Sequence, residues 1–320
     1  MATVHGEVLW MGPTGDQWHY HRKERLYDLT RGSSDSGVPA AGLTIRTTAG
    51  PPDTRIAVAP GRTALVVVDM QNFFLHRLCR DHPTGRAAVA PTLAAIDACR
   101  RAGIRIVWLN WGLAANDLAA MPASIVCGFS RRMVLDDDLD RPPPRSGLGV
   151  DSDGDGVTGP WLAKGAWNSN VYEGEEAEEA DGAKGKPSAT PSLATAVRPD
   201  LGDVLCDKTR MSGMWSETEP LRQYLTTDAA TANGTSIRTL LFAGVNTDQC
   251  VLGTLTDAYN AGWDCVAVAD CCATTTPNGQ EVTMLNVAQN NLGFVINSKT
   301  LGDGVDAYCE ALLSKDDRGP

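Results

Sequence analysis

An acid, a lysine and a cysteine, residue types that together can carry out nucleophilic chemistry, stand at the ends of three apolar runs. Asp69 closes TALVVVD (63–69), Lys208 follows DVLCD (203–207), and Cys250 lies just past SIRTLLFAGV (236–245), within GVNTDQCVLGTL (244–255). A thiol is a strong nucleophile, a carboxylate can take its proton, and an ammonium can tune and orient both. Cys250 stands where a helix is expected to begin. Unpaired backbone N–H groups there would lower the thiol's pKa and could hold a developing oxyanion. Taken singly, each residue has a plain alternative: Asp69 as a helix cap, Lys208 as a solvated charge, Cys250 as a small buried apolar residue. Their shared placement at successive strand ends weighs against all three being incidental.

The elements that would position them are legible as an alternation. TALVVVD reads as a buried parallel strand, and Pro91–Arg101 has helical spacing closed by Gly103. IRIVWLN (104–110) completes a β-α-β unit. DVLCD, a helix ending near Leu225, SIRTLLFAGV and a helix from Cys250 to Ala261 follow. WDCVAVADCCAT (263–274), a helix over Gln280–Asn291 and GFVINS (293–298) complete the series. Such alternation predicts a three-layer α/β/α domain around a mostly parallel sheet. Residues 1–62, rich in Gly, Pro and Thr, stand outside the pattern and are expected to form an N-terminal arm; the domain is expected over 63–300, with 301–320 as a C-terminal segment. A loop-rich insertion is expected at about 136–199, where PPP (142–144), DSDGDG (151–156) and an acidic run at 173–186 favour irregular surface.

The totals exclude several roles. A formal charge of -11 disfavours neutralising a phosphate backbone or docking on anionic lipid, so no nucleic-acid or membrane partner is expected. The nine cysteines form no C-x-x-C pair, which fits reduced thiols in a cytoplasmic protein. The opening residues interrupt any secretory apolar run, and no window approaches a membrane span.

ALVVVDMQNFF (64–74), DKTRMSGMWSETEPL (207–221) and AGVNTDQCVLGTLTDAYNAGWDCVAVADCCAT (243–274) together resemble the acid, lysine and nucleophile motifs of isochorismatase-like hydrolases, over roughly residues 60–300. The resemblance implies a Rossmann-like topology, with Asp69 as general base, Cys250 as nucleophile and Lys208 as the cation that tunes them. It further implies a cis peptide at Val245–Asn246, an oxyanion hole from the N–H groups of Asn246 and Cys250, and dimers or tetramers. Phe74, Trp111 and Trp215, within or beside these motifs, are candidates for an aromatic-walled pocket for a small-molecule substrate, with core packing as the equal alternative.

Departures from the family narrow the chemistry. Where nicotinamidases of this family place a metal-binding acid and histidine around a tryptophan, this chain reads Asn110, Trp111, Gly112, so no metal or other cofactor is expected. A cysteine nucleophile favours amide-type chemistry over the vinyl-ether hydrolysis of true isochorismatases. Amide, ureide, carbamoyl and lactam substrates remain open, as do an ether hydrolase and an inactive metabolite-binding protein. DSDGDG imitates the start of an EF-hand loop but has Leu162 at the twelfth position, which disfavours selective calcium binding and leaves a solvated acidic loop as the better description. Cys271 and Cys272 read as core residues, Trp161 and Trp167 as possible parts of a lid, and the five histidines are assigned no role.

Overall fold

The computed structural model describes residues 2–32, 42–130, 147–149, 159–176, 189–227, 236–290 and 292–316. The DSDGDG and PPP stretches, and most of the acidic run, lie outside them. The strands are β1 (Ala2–His5), β2 (Val8–Met11), β3 (Trp18–His21), β4 (Leu26–Asp28), β5 (Leu43–Arg46), β6 (Arg55–Val58), β7 (Thr63–Val68), β8 (Arg105–Trp111), β9 (Val204–Lys208), β10 (Thr239–Val245), β11 (Asp264–Ala273) and β12 (Phe294–Ile296).

β7 to β12 form one six-stranded sheet in the order β12-β11-β10-β7-β8-β9, every neighbouring pair parallel. The chain builds outward from β7 to β9, then crosses back and builds outward again from β10. The order therefore reverses between β7 and β10, the switch point where open α/β sheets leave a crevice beyond their carboxyl ends. β7 and β10 are buried along their whole length, which is why their sequences are continuous apolar runs with no polar alternation.

Helices cover both faces. Val89–Ala102 and Ser298–Asp316 pack on the side of Leu65, Val67, Trp108 and Leu241. Pro220–Thr226, Leu252–Asn260 and Gly279–Gln289 pack on the side of Val66, Leu109, Leu240 and Phe242. Helix Val89–Ala102 ends at Gly103, whose φ of 76° is the left-handed cap that glycine adopts without strain. The expected C-terminal segment begins within helix Ser298–Asp316, whose Leu301 and Val305 are fully buried.

Within the expected N-terminal extension, the described residues include a second sheet, ordered β1-β2-β3-β4-β6-β5. Its strands are three or four residues long, too short to display a readable period, which explains why no strand pattern is legible there in the sequence. Leu43, Ile45, Ile56 and Val58 have no exposed surface and join the core. The sheet is fastened to the amino-terminal end of β11. Buried Arg31 pairs with Asp264, Trp18 Nε1 donates to Asp264 Oδ1 at 2.9 Å, and Thr48 N donates to Val295 O of β12 at 2.8 Å. The Asp264 contacts lie at the end of the sheet opposite the carboxyl edge, and Thr48 holds the middle of β12.

Among the described residues of the 136–199 insertion, 159–176 fold back over the carboxyl ends of β7 and β8. Tyr172 N donates to Met70 O at 2.9 Å, and Leu113 N donates to Leu162 O at 2.9 Å.

Candidate active site

The carboxyl edge brings Asp69, Lys208 and Cys250 into contact from three strands. Asp69 follows β7, held by its N–H donating to Leu109 O at 2.8 Å. Its φ of 52° is left-handed, a region aspartate tolerates better than most residues, and this turn sends the carboxylate over the sheet edge. Lys208 ends β9, two strands away, and its side chain reaches back across the end of β8 with Nζ 4.1 Å from the centre of the Trp111 ring. Lys208 Nζ lies 3.0 Å from Asp69 Oδ2 and 3.5 Å from Cys250 Sγ, and also donates to the carbonyls of Arg210 (3.0 Å) and Met211 (3.2 Å). Both charged side chains are fully buried, so their interaction is little screened.

Cys250 sits in a single π-helical turn, Thr247–Val251, that leads into helix Leu252–Asn260. Such widened turns recur at functional sites. The turn is pinned at both ends: Val251 N donates to Asn246 O at 3.2 Å, and Thr254 Oγ1 donates to Cys250 O at 2.7 Å. Gly213 N donates in turn to Thr254 Oγ1 at 3.2 Å, tying the lysine loop to the nucleophile helix. Before this turn the Val245–Asn246 peptide is cis, at the position the resemblance implied. Gly244 precedes it with φ 122°, and a Cβ there would fall 1.9 Å from Val68 O, so only glycine lets β10 approach β7 this closely.

Burial governs the electrostatics. Desolvation pushes the Cys250 thiol up to about 12, with Lys208 opposing it and Asp69 reinforcing it. The expectation that the helix start would lower this thiol is therefore corrected in direction: burial disfavours the thiolate and raises the group instead. Desolvation likewise raises Asp69 above the ordinary carboxylate range, against the pull of Lys208 and of contacts to Cys250 and Trp111. Asp69 Oδ2 faces the Lys208 ammonium at 3.0 Å, and Asp69 Oδ1 and Trp111 Nε1 are buried polar atoms of the same site.

The aromatic candidates divide. Trp111 is 2% exposed and lies within the site, between the Lys208 ammonium and the edge of Phe129 at 5.2 Å. Phe74 packs edge-on against Phe73 at 4.8 Å in the core cluster. Trp215 is 49% exposed beneath the Arg210 guanidinium at 5.1 Å. With Ile125, Met211 and Gln249 it lines an outer cleft of about 460 Å³. Trp161 is a core residue against Phe73, and Trp167 lies edge-on to His76 and donates to Glu173. Cys271 and Cys272 are buried among apolar neighbours, as expected.

Several supporting residues had no sequence signal because their partners are remote. Gln71 donates to Trp111 O (2.8 Å) and Ser169 O (2.7 Å) and accepts from Trp111 N (3.0 Å), locking the acid loop, the site tryptophan and the insertion together. Asn72 joins the same insertion through Trp167 O and Glu173 N. Buried Glu219 accepts from Thr209 Oγ1 at 3.0 Å, steadying the residue after Lys208. His82, assigned no role from sequence, reaches the Asn246 side chain at 2.7 Å.

The nicotinamidase metal site does not fit this chain. The position that would need an imidazole is Gly112, where a Cβ would fall 2.5 Å from Asp207 Oδ1 and the Asp207 carboxylate would have to shift. Among the described residues no group of three His, Cys, Asp or Glu is placed to hold a metal ion. Nor is any described helix long and apolar enough to cross a membrane.

Comparison with known proteins agrees with this architecture. Over 267 residues the chain is 24% identical to the ureidoacrylate amidohydrolase RutB of Stutzerimonas stutzeri, covering 81% of this chain and 86% of that protein. It is 27% identical over 269 residues to RutB of Methylorubrum extorquens, covering 82% and 87%. A crystal structure of a cysteine hydrolase from Pseudomonas syringae pv. phaseolicola superposes with a TM-score of 0.51 at 18% identity, covering 78% of this chain and 94% of that one. The family model described as Isochorismatase domain matches residues 63–136 and 161–300, which include β7 to β12 and all three triad residues. The chain belongs to the isochorismatase-like hydrolase family.

Proposed function

We propose that the protein is a metal-independent cysteine amidohydrolase acting on a small ureide or carboxamide. The observation that carries this reading is the single buried ammonium of Lys208 touching both the Asp69 carboxylate and the Cys250 thiol. A thiol held near 12 does not ionise unaided at neutral pH, so its proton must move as it attacks. Asp69 takes that proton, and sulfur bonds to the substrate carbonyl carbon as the C=O electrons move to oxygen. The N–H groups of Asn246 and Cys250 receive the oxyanion, a role worth about 3–4 kcal/mol per donor in comparable sites. Collapse breaks the carbon–nitrogen bond, and protonated Asp69 returns its proton to the leaving nitrogen. Water, deprotonated by the same carboxylate, then hydrolyses the thioester or thiocarbamate and restores the thiol. Lys208 remains charged throughout and moderates the change of charge on its two neighbours.

The resemblance to RutB in sequence favours ureides among the four amide classes. The test is ammonia or amine release from ureidoacrylate, N-carbamoyl amino acids, carboxamides and lactams, with and without a chelator, by wild type and Cys250→Ala. The reading expects chelator-insensitive turnover that vanishes in the variant. Turnover retained by Cys250→Ala would transfer the chemistry to Asp69 alone, as in ether hydrolysis. No nitrogen release from any class would leave a metabolite-binding protein.

A further inference from the structure

The turn that presents Asn246 is gripped by a residue remote from the triad motifs. His82 is 3% exposed and caps the short helix Pro83–Ala87, its Nδ1 accepting from Gly85 N at 2.8 Å. Thr84 Oγ1 also lies 3.1 Å from Nδ1, but its single hydrogen points to Thr274 O, also at 3.1 Å, beyond β11. With Nδ1 occupied as an acceptor, the ring proton resides on Nε2, and Nε2 lies 2.7 Å from Asn246 Oδ1. Burial lowers the His82 pKa, which keeps this neutral tautomer. The approach is close throughout: a Cβ on Gly85 would sit 3.0 Å from His82 Nδ1 and 3.3 Å from Val245 Cγ1. A capped helix start, a glycine and an imidazole thus converge on the two residues of the cis peptide.

We infer that His82 is a positioning residue for the hydrolytic reaction, fixing the Asn246 backbone N–H toward the oxyanion by donating Nε2–H to the Asn246 side chain. This rests on the amidohydrolase reading. His82 acts through Asn246, 164 residues away in sequence, and touches neither substrate nor sulfur. Catalysis by oriented donors is steep in geometry, and a displacement near 1 Å costs roughly 100-fold.

The test separates the two halves of the imidazole in the full-length protein, using the ureide with the greatest turnover. His82→Asn keeps an N-cap acceptor for Gly85 N but cannot reach Asn246; His82→Gln places an amide donor near the former Nε2 but loses the cap. The inference expects His82→Asn to lose about 10- to 100-fold in kcat, with KM within about threefold and Tm close to wild type. His82→Gln should recover most of that kcat despite a lower Tm. Asn246→Ala should match His82→Asn, and the double variant should be no slower than either, because both remove one link. Alkylation of Cys250 by iodoacetamide, which forms no oxyanion, should keep its wild-type rate.

A His82→Asn kcat equal to wild type, or losses that multiply in the double variant, would overturn the inference. So would a loss shared equally by turnover and alkylation. These outcomes differ from failure of the underlying reading, in which Cys250→Ala stays active or wild type releases no nitrogen.

Discussion

Replacing Lys208 by methionine keeps the volume and apolar stem of the side chain and removes only its charge and donors. In wild type the ammonium lies 3.0 Å from Asp69 Oδ2 with both side chains fully buried. At an effective dielectric near 20, two unit charges at this distance attract by about 5 kcal/mol. That attraction is the main force opposing desolvation, which already raises Asp69 above its ordinary range. Without it the carboxyl stays protonated at neutral pH and cannot accept the thiol proton. Loss of a general base costs roughly 100- to 10,000-fold, so kcat at pH 7 should fall by about 1,000-fold. The residual rate should climb with pH as Asp69 ionises, moving the acid limb of the profile upward.

Stability supplies an independent check with a defined sign. A group whose folded pKa is raised stabilises the fold below its unfolded pKa and loses that contribution as pH rises toward the folded value. The variant raises Asp69 further, so its stability deficit relative to wild type should be smallest near pH 5 and grow toward pH 8. Ammonia release across pH 6–10 and urea unfolding at pH 5 and pH 8 measure both effects. A kcat within tenfold of wild type at pH 7, with an unshifted profile, would refute the claim that Lys208 sets the ionisation of Asp69.

Two further outcomes are expected. Burial raises six thiols, Cys99, Cys206, Cys250, Cys265, Cys271 and Cys272, above the ordinary value of 9.0. The unfolded chain therefore sheds their protons first as pH rises, and each thiol withdraws up to about 1 kcal/mol of stability between pH 9 and 10. Urea midpoints should fall steeply over that interval, and a flat response would contradict the burial of these thiols. Gly244→Ala places a Cβ 1.9 Å from Val68 O at φ 122° and should cost more than about 3 kcal/mol in unfolding free energy, as overpacking and backbone strain combine. Stability near wild type would deny the close approach of β7 and β10.

The sequence by itself determined the elements whose signals are local and long. β7, β8 and β10 are runs of six or seven residues with apolar or β-branched stretches, and Gly103 and Gly262 mark helix ends. These suffice to predict the parallel sheet and to put an acid, a lysine and a cysteine at its carboxyl edge. Strands of three or four residues carry too few positions for a period, so the sheet over residues 2–58 emerged only when Arg31, Trp18 and Thr48 met β11 and β12.

Tertiary structure alone decided the properties that depend on what surrounds a residue. Asp69 and Lys208 are 139 positions apart in the chain yet 3.0 Å apart in space. The same closure that brings them together expels water, and so raises the Cys250 thiol that a local reading would lower. Phe74 and Trp215 lie beside the motifs in sequence, but helix Asn72–Leu75 turns one into the core and the loop after β9 turns the other to the surface. The neighbours of His82 in sequence show it only as the cap of a short helix. Its partner, Asn246, reaches it only because the chain crosses back over the sheet to lay β10 beside β7. Periodicity and capping are encoded over a few residues and can be read from them. Dielectric, contact and access belong to the packed whole, because each depends on atoms that the chain brings in from far along its length.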